Sequence, residues 1–359
     1  MTLRSMRGLL ACAMLLLAFG CVDALSGSGG TTGVAIYAFD SSTSTVMAWN
    51  DLGALYDAAT PPAPDRTLSS NLLSKVTNLG WGGLCLDSQR NLLYLASDSG
   101  TIVRINQVRT QTGTVPNTDI ISFTLSSTDR LTNGKFGQAA LDVASDTLYI
   151  TENGDNGTRI WVVTNASTQV QDNSIALQAL QTSGDSGGTG VAAGSGNVYG
   201  FFLDGNPVGP DVLTGPRIRM GNLSAFNASG VILGSTTGLG EYGSLALDTA
   251  NSNLYVARHN TDSTGTGAPV QVFRTGQFGL SYNQAPAYTV GSATDQADLR
   301  VIAHPGTKDW LVGLRGAGTT GYPTLILWKS PLGGVAAKVV TVSPATTVFR
   351  GVAMDGNAS

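Results

Sequence analysis

Gly351-Val352-Ala353-Met354-Asp355 stands at the end of the chain as a short apolar strand closed by an Asp, with no partner strand after it. At the other end, Val34-Ala35-Ile36-Tyr37-Ala38-Phe39-Asp40 reads as a second strand with no first before it, and Thr45-Val46-Met47-Ala48-Trp49 reads as the third. Each end lacks what the other supplies. Joining the two makes one complete sheet and removes two open edges, which would otherwise template association with other chains.

The same phrase recurs through the interior. Gly83-Leu84-Cys85-Leu86-Asp87 is followed by Leu93-Tyr94-Leu95-Ala96, Ala140-Leu141-Asp142 by Leu148-Tyr149-Ile150-Thr151, and Val191-Ala192-Ala193-Gly194 by Val198-Tyr199-Gly200. Leu245-Ala246-Leu247-Asp248 precedes Leu254-Tyr255-Val256-Ala257, and Val301-Ile302-Ala303-His304 with Trp310-Leu311-Val312 is a degenerate fifth copy. The marker residue thus falls at 87, 142, 194, 248, 304 and 355, a period that belongs to repeat architectures. Third strands follow, among them Ile102–Ile105, Ile160–Val163 and Leu325–Trp328, and fourth strands such as Ile120–Phe123 and Val339–Val342. β-Branched and aromatic residues between Gly, Asp, Asn and Ser turns make four-stranded antiparallel sheets. Such sheets are apolar on both faces and are stable only when stacked. The expected fold is all-β, a six-bladed β-propeller closed by pairing of the N- and C-terminal strands. A seventh blade is expected only if Asp51–Leu79 hides a degenerate sheet.

Composition agrees. The 359 residues include 46 Gly and 13 Pro, with 42% hydrophobic and only 12% charged residues, too apolar for a disordered polyelectrolyte. A net charge of −4 argues against nucleic acid as a partner, which would require a basic face.

Residues 1–20 carry Arg4 and Arg7, then an apolar run from Leu9 to Phe19. That run is short of the ~20 residues needed to span a bilayer as a helix and reads as an export signal. It ends in Ala18-Phe19-Gly20-Cys21, which resembles the lipobox of bacterial lipoproteins. The resemblance implies cleavage before Cys21 and lipidation of its thiol, with residues 21–32 as a Gly/Ser tether and 33–359 as the propeller domain. Val22, standing where an Asp would favour inner-membrane retention, implies the outer membrane of a bacterial cell envelope. With Cys12 removed and Cys21 acylated, only Cys85 remains, so no intramolecular disulfide is expected. Its place in Leu84-Cys85-Leu86 reads as a small buried residue.

The blade phrase, an apolar strand, Asp, turn and Leu-Tyr-Val-Ala, is similar to the NHL-like, YVTN-like and SMP-30-like propeller families. Propeller sites gather where loops leave the second strands around the central channel, and those loops offer Asp40, Asp98, Glu152, Asn153, Asp204, His259 and Arg315. The SMP-30 resemblance implies a divalent cation on oxygen ligands, for which Glu152, Asn153, Asp98 and Asp204 are the candidates and Ca²⁺ or Mg²⁺ the ions. No catalytic constellation is evident: there is no nucleophile elbow, phosphate loop or Cys-x-x-Cys, and His304 and His259 fall on opposite faces. One Asp per blade in a turn reads as Asx-type backbone bonding, and Gly184–Gly188 as a connecting loop. Enlarged loops at 203–215, 260–269 and 316–323 fall on one face, where binding is expected. The expectation is therefore a membrane-anchored monomer that works as a binding or scaffold propeller without a cofactor. Its loop-rich face would meet an envelope protein, a glycan or a small ligand. The alternative is a metal-dependent hydrolase of the gluconolactonase kind.

Overall fold

The computed structural model describes residues 33–155, 157–181, 185–203, 215–223, 226, 230–233, 237, 239, 243–258, 270–279, 283–291, 299–315, 324–342 and 347–358. Cys21, Asp204, His259 and the three enlarged loops fall outside these residues. The described strands form six sheets. In the first, the C-terminal strand Phe349–Asp355 pairs antiparallel with Ala35–Asp40, with Ile36 opposite Met354 and Ala38 opposite Val352. Thr45–Trp49 and Arg66–Ser69 complete that blade. The ring closes through the two chain ends.

Residues 51–79 contain a short helix, Leu52–Asp57, capped by the Asp51 carboxylate on the Gly53 and Ala54 amides. They also contain the first blade's outer strand and a 3₁₀ turn at Leu73–Val76. No separate sheet arises there, so the blade count is six. A departure from pure antiparallel pairing occurs at two outer edges. Gly113–Thr114 pairs parallel with Arg66–Ser69, and Ser174–Ile175 pairs parallel with Ile120–Leu125. In both cases a loop of the following blade covers the edge of the preceding one, which blunts it against association.

Alternation within each strand decides how the blades stack. In Ala35–Asp40, Ile36 and Ala38 face a cluster shared with the sixth blade (Val312, Leu325, Leu327), while Tyr37 and Phe39 face one shared with the second (Leu93, Leu95, Val103). The period of two along the strand turns one sheet into a wedge with two apolar faces. The repeated tyrosines of the second strands, Tyr37, Tyr94, Tyr149, Tyr199 and Tyr255, are all buried and fill these inter-blade seams. Each such burial stabilises the ring by roughly 1.5–3 kcal/mol, which makes the seams the core of the molecule.

The turns between first and second strands tie blade to blade. Asp87 Oδ1 accepts from the amides of Gln89 (3.0 Å) and Arg90 (2.9 Å). Asp142, Asp248 and Asp355 do the same for Ala144, Asn251 and Asn357. His304 reproduces the device with a ring nitrogen: its Nδ1 accepts from the Gly306 amide at 3.0 Å. Crossing bonds then join neighbouring turns. Arg109 grips Asp355 at 2.6 and 2.8 Å, Arg90 Nη1 donates to the Val143 carbonyl at 3.0 Å, and the Gly196 amide donates to Asp142 at 3.2 Å. The repeated Asp is a structural staple.

Candidate functional site

The six innermost strands line a central channel. From the face that carries the Asp turns, a cavity of about 370 Å³ runs inward. Its wall is small and apolar, with Cys85, Ala140, Ala193, Leu247, Ala303 and Ala353, and its rim is polar, with Ser88, Asp142, Ser195, Thr249 and His304. Cys85 is half-buried, in the cavity wall and against the seam of the second and third blades, rather than the fully buried residue its apolar context suggested. The inner strand's side chains alternate between the two seams, Leu84 and Leu86 towards the first blade and Cys85 towards the third. Burial, with Asp87 nearby, pushes its thiol pKa up, so it carries little thiolate character.

Two side chains of the inner strands reach to other blades. Gln138, buried on the third blade's inner strand, reaches across to the fourth and fifth blades. Its Oε1 accepts from the Val191 amide (3.1 Å) and the Leu245 amide (2.9 Å), and its Nε2 donates to the Leu245 carbonyl (2.7 Å). Trp81, on the second blade's inner strand, packs against the cluster shared by the sixth and first blades. Gly82 fits between them. Its φ is +77°, and a Cβ there would lie 3.0 Å from Gln138 Cγ, so both backbone conformation and space require glycine.

Irregularities in the inner strands bring a further group of residues together. Between Leu79 and Leu84, the Gly80–Gly83 run bulges out of its pairing with the second strand. Arg300 is the extra residue between Leu299 and Val301, and Arg350 the extra one between Phe349 and Gly351. Bulges re-aim side chains. Here they bring both guanidinium groups over the Trp81 ring, Arg350 at 4.8 Å and Arg300 at 5.6 Å from its centroid. Trp81, Arg300 and Arg350 are all partly exposed. None was singled out from the sequence. The available signal was an aromatic residue followed by Gly six residues before the repeated Asp, Trp81-Gly82, Phe136-Gly137 and Tyr242-Gly243, of which Trp81 is the largest.

Of the residues that the sequence does single out, Glu152, Asn153, Asp98 and Asp40 are engaged by nearby protein groups. Glu152 is fully buried. Its Oε1 accepts from the Leu131 amide at 2.9 Å, and its Oε2 accepts from Arg159 Nε at 2.7 Å and Trp161 Nε1 at 2.6 Å. Arg159 in turn stacks over Trp161 and donates to the Asp129 carbonyl. Asn153 is exposed and accepts from Thr158 Oγ1 at 2.8 Å. Asp98 lies 3.5 Å from Lys135 Nζ.

Asp40 is buried and accepts from the Val348 and Ser42 amides and from the Ser42 and Thr43 hydroxyls. Burial works against its charge, but these donors outweigh it and hold the carboxyl below its usual range. Arg315 ends the second strand of the sixth blade, with its backbone opposite Leu299. Among the described residues no group of three or more His, Cys, Asp or Glu side chains could hold a metal ion.

Of the connecting segment 184–188, the described part, Asp185–Gly188, leads into the fourth blade and carries a buried carboxylate. Asp185 bonds Arg219 through both oxygens and lies 3.6 Å from the fully buried Arg217. His304 stacks on Tyr255 with centroids 5.1 Å apart. Burial lowers its pKa to about 4, against the pull of Asp248 and Asp309, so the ring is neutral near pH 7.

No family model matches the sequence, and no curated protein matches it. Among solved structures, the chain is similar to one from the crystal structure of a nidogen/laminin complex, at 14% identity and a TM-score of 0.56, over 89% of this chain and 98% of that one. Weaker likenesses are to Kuenenia stuttgartiensis hydrazine synthase (9% identity, TM-score 0.42, 76% of this chain and 69% of that one) and to a chain of the mitotic checkpoint complex (7%, 0.42, 75% and 78%). The likeness is one of fold. It agrees with the six-bladed ring read from the repeats, and the resemblance to NHL-like, YVTN-like and SMP-30-like propellers stays at the level of blade architecture.

Proposed function

We propose that this chain is an exported bacterial lipoprotein whose propeller acts as a binding module at the outer membrane, tethered through Cys21. The observation that carries the binding reading is the state of the candidate carboxylates. Glu152 is spent on Arg159, Trp161 and the Leu131 amide, and Asp40 on four donors. A group already saturated by protein donors has little capacity left for a catalytic cation. A closed ring of six blades is a scaffold that suits recognition through its loops. The anchor reading is supported by Ala18-Phe19-Gly20-Cys21 behind a short apolar run. More than one acyl chain would hold the protein firmly to a bilayer.

The test is metabolic labelling with a palmitate analogue in a bacterial host, followed by membrane fractionation. Labelled protein in the outer membrane, with label and membrane association lost in Cys21→Ala, is the expected result. An unlabelled wild-type chain recovered in the soluble fraction would overturn the anchor. Stoichiometric Ca²⁺ or Mg²⁺ in the purified protein, lost together with lactone hydrolysis in Glu152→Ala, would overturn the binding reading in favour of catalysis.

A further inference from the structure

We propose that the outer mouth of the seam between the fifth and sixth blades is a docking surface for an anionic phospholipid bilayer. The choice of a membrane as occupant rests on the anchor reading, while the surface itself is a feature of the ring. Among the described residues seven large apolar side chains are exposed, and four of them gather here: Tyr288, Leu332, Val335 and Val339, between 38% and 51% exposed. Strand alternation explains the gathering. Val290 and Ile326 belong to the cluster shared by the two blades. Tyr288 lies two residues before Val290 on the fifth blade's outer strand, and Val339, on the sixth blade's outer strand, pairs with Ile326. Both therefore face the same seam from opposite walls. The segment 330–337 joins the third and fourth strands of the sixth blade there. Its Ala337 packs on the seam cluster, and Leu332, Gly333, Gly334, Val335 and Ala336 form an exposed run without a charge.

The place where residues 21–32 join the ring lies on the same face. In an antiparallel blade, the connections from first to second and from third to fourth strand share one face. The start of the second strand at Ala35 and the segment 330–337 are thus both on the face of the Asp turns. One short helix links them. The Val34 carbonyl accepts from the Leu52 amide at 2.9 Å, and four residues on, about 6 Å along the helix axis, Tyr56 donates to the Ala336 carbonyl at 2.9 Å. Lys338 Nζ then donates to the Ala58 carbonyl at 2.9 Å. A Gly/Ser tether of this length reaches about 20 Å, which holds this sector of the ring near the lipid and lets a weak surface act at high effective concentration. The charge is complementary as well. Among the described residues Arg274, Lys308, Lys329 and Lys338 stand in this sector against the carboxylates Asp57 and Asp309, a cationic excess on a chain of net charge −4. Arg274 donates to the Tyr288 hydroxyl and lies over its ring at 5.4 Å from the centroid. Apolar side chains and a tyrosine bordered by Lys and Arg are the composition that settles at an anionic lipid interface.

The experiment uses the chain from residue 21 onward, made without its leader so that Cys21 carries no lipid. Residues 33–359 form one compact unit, so this chain holds the whole ring. It is mixed at low salt with vesicles of phosphatidylcholine alone or of equal parts phosphatidylcholine and phosphatidylglycerol, and cosedimentation gives the partition. The expected result is partition into the mixed vesicles, roughly tenfold or more weaker on phosphatidylcholine alone and in the double variant Val335→Asp, Val339→Asp. Arg274→Gln with Lys329→Gln should lower it several-fold, and added salt should lower it further. Val170→Asp, at an exposed residue of the third blade, should leave it unchanged. Unfolding midpoints show that each variant is folded.

Absence of partition by the wild-type chain would overturn the proposal. So would wild-type partition in the folded double variant, an equal loss in Val170→Asp, or indifference to phosphatidylglycerol. Sedimentation without lipid covers a second occupant: dimers of the wild type that are lost in the double variant, with no vesicle binding, would assign the surface to another copy of this chain and overturn the membrane. No acyl chain is present in this assay, so its failure leaves the labelling of Cys21 untouched, and an unlabelled Cys21 leaves the vesicle result standing.

Discussion

Two regions of the ring handle charge in opposite ways. At the end that carries the Asp turns, Asp87, Asp142, Asp248 and Asp355 close their own turns, and Arg90 and Arg109 tie them to neighbours. At the bulged inner strands, Arg350 lies over the Trp81 face with its Nε buried and without a hydrogen-bond partner among the described residues. The difference separates groups that hold the ring together from a group left over when the ring is complete. Substitution should therefore cost stability at the first kind of position and leave it nearly untouched at the second.

The largest loss is expected from Glu152→Ala, within the third blade. It strands Arg159 and the Trp161 N–H in a buried setting, and breaking a buried pair from one side costs about 3–5 kcal/mol. Urea unfolding should show the drop in midpoint, and an unchanged midpoint would mean that Glu152 is not the staple its bonds indicate. Next comes acid sensitivity at the turn end. His304 has a folded pKa of about 4, lowered by burial, against about 6.5 unfolded. Its contribution is fully present above the unfolded value and is lost as pH falls from about 6.5 towards 4, because the unfolded chain takes up the proton first. The loss is on the order of 3 kcal/mol. His304→Asn should flatten the pH dependence of thermal unfolding over that window, and an unaltered slope would assign the titration elsewhere.

Asp87→Ala removes two amide acceptors and the Arg90 pair and is expected to cost about 1–2 kcal/mol in the same urea assay. Arg350→Gln should cost less than ~1 kcal/mol, the worth of a partly exposed cation–π contact. A loss as large as that of Glu152→Ala would erase the contrast between the two regions.

The ring was legible because its signal is repeated. Six marker positions, five second strands with Tyr and two incomplete ends constrain one another, and Phe349–Asp355 beside Ala35–Asp40 is what they require. Turn chemistry was legible for the same reason, since Asx bonding depends on residues two or three apart. Glu152 was not legible as a staple. Its partners Leu131, Arg159 and Trp161 come from a preceding loop and a following strand, and nothing in a Glu-Asn-Gly-Asp run distinguishes a saturated carboxylate from a free one. Trp81, Arg300 and Arg350 were hidden more deeply. They meet because bulges on three inner strands displace them from the regular alternation, and a reading built on regular alternation passes over the residues that break it.

The innermost strand of the first blade follows every other described strand in the sequence. Until residues 349–355 are in place, the leading blade has no axis-facing edge and the circle cannot be sealed. The five other blades are therefore complete in sequence before the ring can lock, and sealing waits on the whole array of repeats.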